Sequence, residues 1–215
     1  MTETVLSEIG SFTGYGGLAF IGGHPGLDFV NSVKYRGAPD DGDRLAEFRD
    51  IVKWAYAAGL LNNDECQFLL QVDRTNKHIK KLHVKICAVR EAVQIVLSPE
   101  NHTKQTFETA AGVVERAIAE LRPKPRIDRN SGGLVTTIPL EKPSDLKARI
   151  VACLEELLLQ RAGLKIKTCE GQDCDWMFVD QTKAKRRKWC DTRTCGNNAR
   201  VRRHREANNR KPNTK

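Results

Sequence analysis

A mainly α fold is what this sequence predicts: a helical N-terminal domain with one β-hairpin, followed by a small α+β module at the C-terminal end. Three observations predict it. Apolar residues recur at helical spacing through most of the first 160 positions, one turn-centred segment alternates as strands do, and four of the seven cysteines fall within 27 residues near the end of the chain.

The elements follow in chain order. Residues 10–33 (GSFTGYGGLAFIGGHPGLDFVNSV) are glycine-rich and then apolar. No Lys-Ser/Thr follows the glycines, so they read as turns and a short strand rather than a phosphate loop, with a helix beginning at GLDFVNSV. His24, inside GGHPG, reads as a turn residue. Residues 43–61 place Leu45, Phe48, Val52, Tyr56 and Leu60 at helical spacing, with Gly59 near the end. NDECQFLLQV starts a further helix, capped by Asn63 or Asp64. A long helix then carries Ile79, Leu82, Ile86, Val89, Val93 and Val96 on one stripe and stops before Pro99. TKQTFETAAGVVERAIAEL is another, ended by RPKP. PRIDRNSGGLVTTIPLE reads as a hairpin around NSGG. The last helix of this region runs from Ser144 as N-cap to Gly163 as C-cap. Residues 1–163 are thus one helical unit and residues 164–215 a second.

The helical unit shows no catalytic constellation. His24, His78, His83 and His102 have no Ser, Cys or carboxylate partner at telling spacing, and His78 and His83 lie among lysines as solvated residues. Cys66, Cys87 and Cys153 stand alone in apolar segments and read as small core hydrophobes. The chain is therefore read as a non-enzyme. No apolar run reaches the ~20 residues that cross a bilayer, and the acidic start MTETVLSEIG is not a secretory signal. A cytoplasmic protein without a membrane partner is the expectation.

Charge divides the chain. Residues 161–215 hold 16 Lys and Arg against 6 Asp and Glu, a net of +10, whereas the first 160 residues carry a net of −1 of the total +9. A cationic tail behind a neutral domain points to a polyanion, nucleic acid in the first instance.

The cysteine pattern is Cys169-x4-Cys174-x15-Cys190-x4-Cys195. Two close pairs joined by an arm suit four thiolates around one structural Zn2+, each pair biting the metal from one turn. Disulfides or an iron–sulfur cluster are the remaining readings. Four thiolates leave no open coordination position, so the metal shapes a zinc-binding module rather than performing chemistry. DWMFVD between the pairs alternates as a strand, with Trp176, Phe178 and Asp180 on one face, covering the metal or docking on the helical domain. KAKRRKW brings Lys183, Lys185, Arg186, Arg187 and Lys188 to the second pair, and Arg193 lies within it. After Cys195, GNNARVRRHREANNR reads as a helix with Asn197, Asn198, Arg200, Arg202, Arg203, Arg205 and Arg210, opposed by Glu206 alone. These basic and amide side chains are the candidate nucleic-acid contacts, since arginine forks match phosphates and guanine edges and asparagine can read adenine.

The cysteine spacing, the WC before the second pair and the CGN after it resemble the CGNR zinc finger. Upstream, FIGGHPGLDFVNSV, DRL, Trp54 and AAGLL resemble the ABATE domain that precedes that finger in bacterial proteins. Such proteins are described as candidate stress-induced transcription regulators. The resemblance implies zinc ligation by Cys169, Cys174, Cys190 and Cys195, and a mainly helical N-terminal domain with a sensory role. One position departs from the pattern: Asn198 stands where the finger's name spells arginine. A DNA-binding regulator is the leading reading, with a small-molecule effector and a homodimer as further partners. An RNA-binding protein is the alternative. A third reading is a small-molecule-binding protein or enzyme that uses the tail for assembly.

Overall fold

The computed structural model describes residues 20–37, 42–127 and 134–209. In chain order these form α1 (Pro25–Val30), α2 (Phe48–Ala57), α3 (Asn63–Leu70), α4 (Lys77–Leu97), α5 (Lys104–Ala119), β1 (Lys124–Ile127), β2 (Leu134–Thr137), α6 (Ser144–Gln160), β3 (Ile166–Thr168), β4 (Met177–Val179) and α7 (Asn197–Asn209). Helices dominate, as the spacing of apolar residues predicts.

The long helix α4 is the axis of the helical domain and touches α1, α2, α5 and α6. Its stripe buries Ile79, Leu82, Ile86, Val89 and Val93, while Val96 is half-buried and Leu97 takes the last core position. Around it close Leu27, Phe29, Ile51, Trp54, Leu69, Ile150, Leu154 and Leu157. Phe29 and Trp54 meet as tilted rings with centroids 4.7 Å apart. β1 and β2 pair antiparallel with Lys124 opposite Thr137. The NSGG turn between them lies outside the described residues, as does the start of the segment read as turns and a short strand; its described part, residues 20–24, forms no strand.

Several boundaries differ from the sequence expectation, each for a capping or pairing reason. The helix expected over residues 43–61 begins only at Phe48, after a capping box in which Glu47 and Asp50 exchange side-chain and backbone bonds. Asp43 is drawn away instead to Arg90, whose Nη1 and Nη2 donate to its carboxylate at 2.8 and 2.6 Å. Arg90 is 3% exposed and also donates to Ser32 Oγ at 2.7 Å. Helix α3 is capped by Asn62, not by Asn63 or Asp64. Asn62 Oδ1 accepts from Glu65 N, and Glu65 returns the bond to Asn62 N, each at 2.9 Å. Ser144 lies inside α6 rather than capping it, because Pro143 holds the N-cap position. The carboxylate of Asp145 accepts from the backbone N–H groups of Glu141 and Lys142. At the other end a 3-10 turn, Arg161–Gly163, follows the helix before the chain extends.

His78 is exposed as expected, but His83 is half-buried with Nε2 2.7 Å from Leu45 O and 3.5 Å from the Cys87 thiol. Cys66 and Cys153 are buried and Cys87 is half-buried. His24 caps α1, its Nδ1 accepting from Gly26 N at 3.0 Å, and burial lowers its pKa. The helix it caps turns the chain so that residues 31–34 leave alongside β4.

Candidate metal centre and basic helix

β3 and β4 form a two-stranded antiparallel sheet with Thr168 opposite Met177, so the sheet ends at the first cysteine. Side chains alternate on β4, and both of its faces are buried. Trp176 and Phe178 pack with Cys169, Cys174 and Cys190, while Met177 and Val179 pack into the helical core. Asp180, wholly buried, continues the cysteine face. Its carboxylate accepts from Lys167 Nζ at 2.7 Å, Thr182 Oγ1 at 2.6 Å and Arg187 N at 2.9 Å. Burial pushes this carboxyl up, but these donors prevail and hold it well below the usual range. Lys167 also donates to the carbonyls of Lys185 and Arg187, fixing the arm that leads to the second cysteine pair.

The four sulfurs of Cys169, Cys174, Cys190 and Cys195 all lie within 4.8 Å of one another. Cys190 Sγ is 3.8 Å from Cys174 Sγ and 3.6 Å from Cys195 Sγ. A tetrahedral Zn2+ with Zn–S near 2.3 Å requires S···S separations of about 3.8 Å, so the donor set fits one structural zinc. The thiols are free rather than joined in disulfides. Cys169 Sγ takes hydrogen bonds from the Cys174 and Cys190 thiols and from Cys190 N and Gly171 N, both at 3.3 Å, which holds its thiol far below the ordinary range. Cys174 and Cys190 are pushed up by the same sharing. Four thiolates around one Zn2+ carry a net charge of about −2, and two cations flank the cluster. The Arg44 guanidinium lies 5.2 Å from the Trp176 ring centroid and that of Arg187 4.2 Å from the Phe178 centroid.

Local geometry explains the small residues. A Cβ on Gly171 would stand 3.0 Å from Cys195 Sγ and 3.2 Å from Cys169 Sγ. A Cβ on Gly196 would meet Trp189 Cδ1 at 3.0 Å, so the tryptophan before the second pair and the glycine after it need each other. Thr192–Gly196 form one π-helical turn, capped by Asp191, and α7 starts at the next residue. Cys195 thus lies in the turn that launches the helix, and the metal fixes that starting point.

The finger is also bonded to the helical domain. Asn31 Oδ1 accepts from Met177 N and Asn31 Nδ2 donates to Met177 O, both at 2.7 Å. Trp176 Nε1 donates to Val33 O at 3.1 Å, Asp175 N to Lys34 O at 2.9 Å and Val179 N to Gly22 O at 2.8 Å. None of these partners is visible in the local sequence pattern.

Residues 165–208 match the CGNR zinc finger. Residues 23–161 match the ABATE family, whose description reads "Putative stress-induced transcription regulator". The chain belongs to the ABATE family. No curated protein shows significant similarity to it.

In this ABATE protein the basic residues singled out from sequence divide by what they touch. Arg187 is half-buried and structural: Nε donates to Trp189 O at 2.9 Å and Nη2 to Cys190 O. Lys185 Nζ donates to Asp180 O at 2.7 Å, Lys188 pairs with Glu170 at 3.0 Å and Arg193 with Asp191 at 3.2 Å. Lys183 and Arg186 are exposed on the arm. On α7, Asn197, Asn198, Arg200, Arg202, Arg203 and Arg205 are all exposed. Arg202 bonds Gln172 and lies 3.9 Å from Glu206, and Arg203 Nε donates to Ala199 O at 3.4 Å. Arg210 lies outside the described residues. No helix among those described is long and apolar enough to cross a membrane.

Proposed function

We propose that this zinc-finger protein is a DNA-binding transcription regulator acting in the cytoplasm rather than an enzyme. Residues 164–215 form the nucleic-acid-binding part. Residues 1–163 form the part that receives a signal, through a small-molecule effector or dimerisation. One observation carries the reading. From Asn197 to Ala207, Ala199 is the only buried residue of α7, and the exposed remainder includes four arginines and two asparagines against one acid, Glu206. A helix of 13 residues spans about 20 Å and can enter a major groove about 12 Å wide. The zinc cluster supplies a rigid mount for it at Cys195.

The finger's aromatic side chains favour a duplex over a single strand. Trp176, Phe178 and Trp189 pack in the cluster-side core, so they form no platform on which bases could stack. The test is selection from a random duplex library with zinc-loaded full chain, followed by titration with salt and competition by double-stranded RNA. An enriched motif whose affinity falls steeply with salt supports the proposal. Tighter binding to RNA, or none to either polymer at low salt, refutes it.

A further inference from the structure

Beside Cys195 opens a cleft of about 420 Å³. One wall is the turn through Gly171, Gln172 and Asp173, and another is the face of α7 bearing Arg202 and Arg205. A third component comes from outside the finger: Lys34, which follows α1.

The backbone of Lys34 is fixed in this place. Its carbonyl accepts from Asp175 N at 2.9 Å, the preceding carbonyl of Val33 accepts from Trp176 Nε1 at 3.1 Å, and Arg36 N donates to Asp175 Oδ2 at 2.8 Å. The side chain is exposed. Among the described residues neither Lys34 nor Arg205 forms an ion pair, and Arg202 has a hydrogen bond to Gln172 and a 3.9 Å ion pair with Glu206. Three cations therefore border one cleft whose wall offers a single acid, Asp173. The net negative charge of the cysteine cluster at the floor repels an anion, so the favourable place for one is the mouth, bordered by Lys34 and Arg205. Convergent like charges repel unless a counter-ion sits among them.

We propose that this cleft seats a backbone phosphate of the bound nucleic acid, with Lys34 of the helical domain as a contact beside Arg202 and Arg205. The inference rests on the nucleic-acid reading and extends it. The ABATE region is then part of the binding surface and not only a receiver of signals. Lys34 sets register and affinity without reading sequence, as phosphate contacts do.

The test measures anisotropy of a labelled duplex with the zinc-loaded full chain across salt concentrations, comparing wild type with Lys34→Gln, Lys34→Arg and Lys104→Gln. Lys104 is an exposed lysine on α5 that does not border the cleft. Lys34→Gln is expected to make the slope of log affinity against log salt shallower by about 0.9 and to weaken binding roughly 3- to 10-fold at low salt. Lys34→Arg should restore both, and Lys104→Gln should change neither. Coincident curves for Lys34→Gln and wild type overturn the cleft, as does Lys34→Arg binding as weakly as Lys34→Gln, or Lys104→Gln matching the loss. Wild type failing to bind overturns the nucleic-acid reading itself, a distinct result.

Discussion

Asn31→Ala removes one side chain from the helical domain and strands two backbone groups in the finger. Asn31 is 2% exposed, and its amide satisfies both Met177 N–H and Met177 C=O at 2.7 Å. Each buried group left without a partner costs about 1–3 kcal/mol. Two such groups, partly relieved by relaxation, give a loss of about 3–4 kcal/mol. At about 2–4 °C per kcal/mol for a chain of this size, the melting temperature should fall by about 6–16 °C. Local opening of β4 should become easier too, so a chelator should strip zinc faster, about tenfold for each 1.4 kcal/mol lost. The assay is thermal unfolding by circular dichroism alongside the rate of zinc transfer to a colorimetric chelator. Asn101→Ala, at an exposed position, is the control. A melting shift under about 2 °C with an unchanged zinc-transfer rate would refute the idea that these two bonds tie the finger to the helices.

Other perturbations have equally definite outcomes. Gly171→Ala forces a methyl to within 3.0 Å of Cys195 Sγ and should weaken zinc binding at least tenfold in a competition assay. Gly163→Ala, with open space around its Cβ, should change nothing there. Asp43→Asn removes one of the two carboxylates paired with the buried Arg90 guanidinium, leaving Glu91 at 2.7 Å, and should cost about 2 kcal/mol in denaturant unfolding. The Asp28 carboxyl is pushed up to about 6 by burial, so its contribution to stability is complete at acid pH and lost as pH rises through that value. Asp28→Asn should therefore gain on wild type by about 1 kcal/mol between about pH 5 and pH 8, read from denaturation curves at each pH. Removal of zinc by a chelator should abolish the helical signal of α7 and lower the melting temperature, both restored by added zinc.

Features with a short-range cause could be read from the sequence. Cysteines in two x4 pairs bring their own ligand geometry, and the stripe on α4 needs only the helical period to be seen. Helix ends were less legible. Asn62 caps α3 rather than Asn63 because its side chain reaches the free N–H of Glu65. At α6 Pro143 holds the N-cap position with no side-chain bond, while Asp145 takes the backbone N–H groups before it. Long-range pairings left no local trace. Asn31 meets Met177 across 146 positions, and Arg90 finds Asp43 across 47. Arg187 looks like its neighbours in the KRRK run. Only the fold shows that its planar head covers Phe178 while Lys183 and Arg186 face solvent. Composition marks a basic segment as a whole, and burial then decides which of its members are mortar.

β4 belongs to two hydrophobic cores at once, and this bears on how far the finger is portable. Cut out as residues 164–215, it would expose Met177 and Val179 and lose the partners of Met177, Asp175 and Trp176 along residues 31–34. A zinc finger transplanted by swapping domains at the end of α6 would carry a raw, adhesive strand into its new host. The usable graft is larger: it must include α1 and the turn after it, so a recombinant finger from this protein begins near Phe20 rather than at its first cysteine.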